Sequence, residues 1–150
     1  MRKTYVVLAY VLAAEVIVQA AAIAFALAGL GHWIDDNHVL TKHVMDKGTA
    51  HFTGDVGFPV HAINGEMLIP LITIALLVVS FFAGIDSGRK FAGIVFGLVV
   101  LQILLGVSLG DVPALAPLHA LNAFGIFAMA IVAGRRARLA PAEPAVAVPA

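Results

Sequence analysis

Long apolar runs, separated by short polar breaks, dominate this chain. Four of them stand out, at about residues 5–30, 59–84, 91–109 and 114–134, and each is near or above the roughly 20 helical residues that cross a hydrocarbon layer. None alternates apolar and polar positions, so a strand reading has no support. Lipid cannot satisfy bare backbone groups, and helices are the expected form. The pattern therefore predicts an all-α integral membrane four-helix bundle.

The breaks between the runs set the topology. The segments Gly84-Ile85-Asp86-Ser87-Gly88-Arg89-Lys90 and Gly110-Asp111-Val112-Pro113 are short turns. Helices joined by them should be antiparallel neighbours. Only the first connection, residues 31–58, is long, and Asp36 or Asn37 is expected to cap a short helix in it that ends near Gly48. Pro70 is expected to kink the second span. In the third span, Gly93/Gly97 and Gly106/Gly110 are spaced four apart, which lets membrane helices pack closely. Residues 1–138 read as one transmembrane domain. Residues 139–150, an Ala/Pro/Val string, read as a disordered tail.

Composition agrees with the pattern. Of 150 residues, 61% are hydrophobic and 12% charged, more apolar surface than a soluble domain of this size can hide. Net charge is zero, so no nucleic-acid partner is expected. Cysteine is absent, which removes disulfides, thiolate metal sites and cysteine nucleophiles. The start, Met1-Arg2-Lys3 before an apolar run, looks like a signal peptide. The run is longer than the roughly 7–15 residues of such a segment and contains Glu15 and Gln19, so it is read as a retained span.

Basic residues give an orientation. Arg2, Lys3, Arg89, Lys90, Arg135, Arg136 and Arg138 fall on one side of a four-span arrangement, and of the nine Lys and Arg only Lys42 and Lys47 do not. That side is expected to be cytoplasmic, with both termini inside a bacterial cytoplasmic membrane.

A repeat carries the candidate chemistry. Span two opens Pro59-Val60-His61-Ala62-Ile63-Asn64-Gly65, and span four opens Pro117-Leu118-His119-Ala120-Leu121-Asn122-Ala123. Four of these seven positions are identical. Spans one and three match more weakly, through Val16-Ile17-Val18-Gln19 and Val99-Val100-Leu101-Gln102. The chain thus reads as one helical hairpin used twice, related by a pseudo-two-fold axis along the membrane normal. His61 and His119 should then face each other at one depth. Asn64, Asn122, Gly65 and Ala123 lie three or four residues on, and share the histidine face. Gly65 and Ala123 leave room for a flat ring. Gln19 and Gln102 are the other matched polar residues.

Paired neutral imidazoles suit the two axial positions of one haem iron. Zinc or copper alone would want more ligands. The site reading is therefore haem b held by His61 and His119, with Asn64, Asn122, Gly65, Ala123, Gln19 and Gln102 around it. Packing histidines bonded between helices, or another metal or quinone site, are the competing readings. Glu15 needs a partner inside the membrane, most simply a polar group on another span. Glu66 has a weaker claim to the site. His32, His38, His43 and His51 match no strong zinc spacing. Trp33, Lys42, Lys47 or a loop histidine are candidates to meet haem propionates.

Two tandem hairpins, with Gln in the first helix and His opening the second, resemble one four-helix half of heme A synthase. The likeness spans about 110 residues and rests on the repeat. It implies haem-ligating histidines at His61 and His119, near the outer face. The chain is also similar to small four-span membrane proteins of actinobacteria. It departs from heme A synthases in having one bundle, no cysteine pair, and Phe58 rather than an acid just before His61; Asp55 is the nearest upstream acid. A b-type cytochrome-like protein, passing electrons between a quinol and a redox protein partner, is the function expected. The alternatives are a cofactor-free accessory subunit of a homo-oligomer or larger membrane complex, and a haem-modifying enzyme.

Overall fold

In a computed structural model of the chain, residues 1–140 are described, the side chain of Asp46 excepted. Helix α1 covers Arg2–Asp35, α2 Lys42–Lys47, α3 Gly57–Ile63, α4 Ile69–Ser80, α5 Gly88–Val107 and α6 Ala116–Leu139. A π-helical turn, Asn64–Leu68, joins α3 to α4, so the two form one interrupted span. Among the described residues there are no strands. Four helical stretches, Arg2–Asp35, Gly57–Ser80, Gly88–Val107 and Pro113–Leu139, are long and apolar enough to cross a membrane.

These helices pack in a ring. α1 lies against α6 on one side and α3/α4 on the other, and α5 closes the ring between α4 and α6. The interior is built from small side chains: Ala9, Ala13, Ala92, Ala130, Ala133 and Ala137 are buried around Tyr5, Leu12, Leu76, Val95 and Ile126. Larger apolar residues such as Phe25, Leu71, Leu104, Leu121 and Phe124 point outward. That distribution suits a lipid solvent, where association depends on close backbone approach rather than on hiding oil from water. Gly134 shows the approach directly, since a Cβ built there would lie 3.1–3.3 Å from the Tyr10 ring.

The ends of α1, α5 and α6 meet. Tyr5 Oη donates to the Gly88 carbonyl at 3.0 Å, buried. Arg2 Nε donates to the Ala137 carbonyl at 2.7 Å, and its Nη2 reaches Arg138 and Ala140 carbonyls. A guanidinium there satisfies carbonyls left open at a helix C-terminus and complements its dipole. Arg136 stacks over Phe91 at 5.0 Å. The basic residues of the two termini and of the α4–α5 turn therefore gather at one end of the bundle.

Several boundaries differ from the sequence reading. α1 runs on to Asp35, and its 34 residues span about 51 Å, well beyond a hydrocarbon core. Asp36 is its C-cap, and Asn37 follows at φ 66°, a left-handed value Asn tolerates. Neither caps α2. Thr41 does, its side chain accepting from the Val44 N–H at 3.2 Å, while Gly48 ends the helix at φ 60°. The second span stops at Ser80, where three-residue bonds from Phe81 and Phe82 tighten the last turn before Gly84 at φ 61°. α6 extends to Leu139, so the expected tail begins one residue later; the remainder of 139–150, from 141 on, lies outside the described residues.

Pro70 acts differently from a simple kink. It lacks the N–H that would bond to the residue four back, and its ring crowds that carbonyl. The helix widens into the π turn immediately upstream, which absorbs the mismatch. Such turns recur at functional sites.

Candidate site at the facing histidines

The half of the bundle away from the two termini is hollow. A cavity of about 490 Å³ is lined from all four spans, among others by Gln19, His61, Gly65, Glu66, Gln102 and His119. Most of the remaining lining is aliphatic. This size lies within the roughly 300–1,000 Å³ of small-molecule and cofactor pockets. Ala123 lines it too, while Asn64 and Asn122 do not; they sit behind it, between helices.

His61 and His119 face each other, with ring centroids 6.3 Å apart and planes tilted by 56°. His61 Nδ1 meets the main-chain carbonyl of Gln19 at 3.1 Å. A carbonyl only accepts, so Nδ1 donates, and in the neutral ring Nε2 keeps its lone pair. Gln19 returns the contact, its Nε2 donating to the His61 carbonyl at 2.9 Å. Gly65 makes room for that amide; a Cβ there would lie 2.5 Å from Gln19 Nε2.

Around His119 the bonding runs through side chains. Asn122 Nδ2 donates to the Leu98 carbonyl at 2.9 Å, which fixes the orientation of its amide. The same group donates to Gln102 Oε1 at 2.7 Å. Gln102 Nε2 must then face His119, and it donates to His119 Nε2 at 3.0 Å. His119 Nδ1 therefore carries the ring proton, and it is buried with no partner. Gln19 Oε1 and Asn64 Oδ1 are likewise buried without partners.

Glu15 finds the interhelical partner expected of it, since Asn64 Nδ2 donates to its Oε2 at 3.0 Å. Glu66 is exposed on the cavity wall. The pairing of Asn64 with Glu15 was not specified by the sequence, but the register was available: counting from Gln19 and Gln102, position 15 matches position 98, and Asn122 reaches Leu98. The π turn was missed, although Pro70 four residues after Glu66 was its signal.

The residues of the long connection between the first two spans lie apart from this cavity. His38 Nδ1 meets the Trp33 carbonyl at 2.9 Å, and the two rings stack at 4.6 Å. His51 pairs with Asp55 at 3.3 Å. Neither Trp33 nor Lys42 nor Lys47 lines the histidine cavity. A separate hollow of about 600 Å³ lies under the loop, walled by Leu30, Val44, Phe52, Phe58 and others. It is the larger of the two, yet its titratable lining, His51 and Asp55, is already paired.

The donor set is too small for a bare ion. Among the described residues no group of three or more His, Cys, Asp or Glu is placed to hold a metal. Two imidazoles suffice only when the metal brings its other donors with it, as in a macrocycle. Metal–imidazole bonds of about 2 Å would put the two ligating nitrogens about 4 Å apart. Ring centres 6.3 Å apart allow that separation. His61 offers an unprotonated Nε2 held by a carbonyl behind it, the arrangement usual for ligating histidine.

No protein-family model matches the chain, and no curated protein or solved structure matches it.

Proposed function

We propose that this chain is a membrane b-type cytochrome-like protein that holds one haem between His61 and His119. The observation that carries the reading is the facing pair itself: two imidazoles, ring centroids 6.3 Å apart, on a mostly apolar cavity. Such a group, held by His61 and His119, would supply one-electron chemistry and would favour electron transfer over oxygen chemistry. The residues around it have simpler tasks. The Gln19 carbonyl orients His61, Gly65 admits the Gln19 amide, and the aliphatic walls keep water out.

The four spans are read as one hairpin used twice, with an approximate two-fold axis along the membrane normal. Matched contacts support this. Gln19 meets His61 as Gln102 meets His119, and Asn64 reaches position 15 as Asn122 reaches position 98. This is also the arrangement implied by the resemblance to one half of heme A synthase. The basic end, with both termini, faces the cytoplasm of a bacterial cell, and the histidine cavity lies toward the outer side. A quinol or a redox protein would exchange electrons there.

The test is an optical spectrum of the full chain, purified in detergent after expression with ample haem. A Soret band with sharp low-spin α and β bands on reduction is expected. His61→Ala and His119→Ala should each abolish the low-spin form. A colourless wild-type protein would overturn the proposal.

A further inference from the structure

The two histidines differ in what their nitrogens already do. Among the described residues nothing bonds to His61 Nε2, while His119 Nε2 accepts from Gln102. The other nitrogen of His119 gives no second choice. Its Nδ1 carries the proton and lies beside Gly106, where an added Cβ would come within 3.5 Å of it.

The positions four residues after the two histidines differ by one methyl group. At Gly65 the Gln19 amide occupies space that a side chain would take, and there it bonds to a backbone carbonyl. The matched position in span four is Ala123. The Gln102 amide bonds to the imidazole and to Asn122.

We infer that His61 is the fixed ligand and His119 the exchangeable one, with Gln102 as a positioning residue that competes for His119 Nε2 and leaves that side of the metal open to a small diatomic ligand. This rests on the haem reading above. It adds a binding position for a neutral diatomic to a site otherwise expected to be closed. A donor on the wrong nitrogen must be displaced each time His119 ligates, whereas His61 is oriented by a bond that ligation leaves intact.

Carbon monoxide is the probe, titrated into the haem-loaded, reduced full chain in detergent and followed by the Soret shift. His119→Ala should keep its haem, become high-spin and bind carbon monoxide. His61→Ala should weaken haem retention by about tenfold or more, as loss of an oriented ligand does. Gln102→Leu frees His119 and should raise the carbon monoxide midpoint by about tenfold. Asn122 keeps the Leu98 carbonyl in that variant, so the fold survives. Ala123→Gly, which removes that one methyl, should shift the midpoint the same way. Helical circular dichroism monitors folding throughout. Equal haem loss from both histidine variants, or an unchanged midpoint in Gln102→Leu and Ala123→Gly, would overturn the inference while leaving the haem reading standing. A wild-type protein without a Soret band would overturn both.

Discussion

His61 Nδ1 donates to the main-chain carbonyl of Gln19, 3.1 Å away on the neighbouring helix. The bond uses backbone, so the side chain at position 19 does not control it. Gln19→Ala should remove only the return bond from Nε2 to the His61 carbonyl. The expected loss is about 1 kcal/mol of stability, the usual net worth of one such bond. Thermal unfolding in detergent measures it, and nitrogen NMR of the imidazole should still find the proton on Nδ1. A shift of that proton to Nε2 would contradict the structure.

Two glycines should respond differently to one added methyl. At Gly65 the methyl meets the end of the Gln19 side chain, which can swing away. The substitution then costs the Gln19 bond, about 1 kcal/mol, which offsets the helix gain and leaves Gly65→Ala less stable than Gly93→Ala. At Gly93 nothing lies within 4 Å, and Gly93→Ala should stabilise the helix by up to about 1 kcal/mol. Parallel melting curves of the two variants decide it; equal shifts in the two would be wrong.

Glu15 and Asn64 should behave as a pair. Asn64 Oδ1 is already buried without a partner, so Glu15→Leu strands the whole amide. A loss of about 1–3 kcal/mol is expected. Glu15→Gln keeps an accepting oxygen and should cost less. Unfolding in mixed micelles gives both numbers, and a Leu variant as stable as the Gln variant would remove the pair from the account.

Tyr5 ties the start of α1 to the start of α5 through the Gly88 carbonyl. Tyr5→Phe preserves the ring and deletes the donor. It should cost about 0.5–1.5 kcal/mol and speed hydrogen exchange in the α4–α5 turn. Exchange measured by mass spectrometry, unchanged in that turn, would show the bond to be idle.

The four helices were legible because lipid solvation leaves a coarse signal: length and apolarity suffice, and neighbouring residues need not be resolved. The histidine pair was legible because a repeated heptad puts matched residues at matched depths. Finer geometry followed from interactions that no pattern encodes. The extent of α1 past Leu30 depends on a polar end that projects beyond the apolar run. Thr41 rather than Asp36 caps α2, since α1 consumes the earlier residues. The partners of Gln19 and Gln102 differ: one amide meets a backbone carbonyl, the other an imidazole. That Gly65 leaves the space the Gln19 amide fills depends on three-dimensional proximity, which no pattern encodes.

The ring closes where the first helix meets the last. α1 and α6 share an extensive seam, sealed at its end by Arg2 on the Ala137 carbonyl. A chain leaving the ribosome therefore holds His61 and Gln19 long before it holds His119. Until α6 is made, the cavity lacks the wall that carries His119, Ala120 and Ala123. Docking of α6 then supplies its fourth wall.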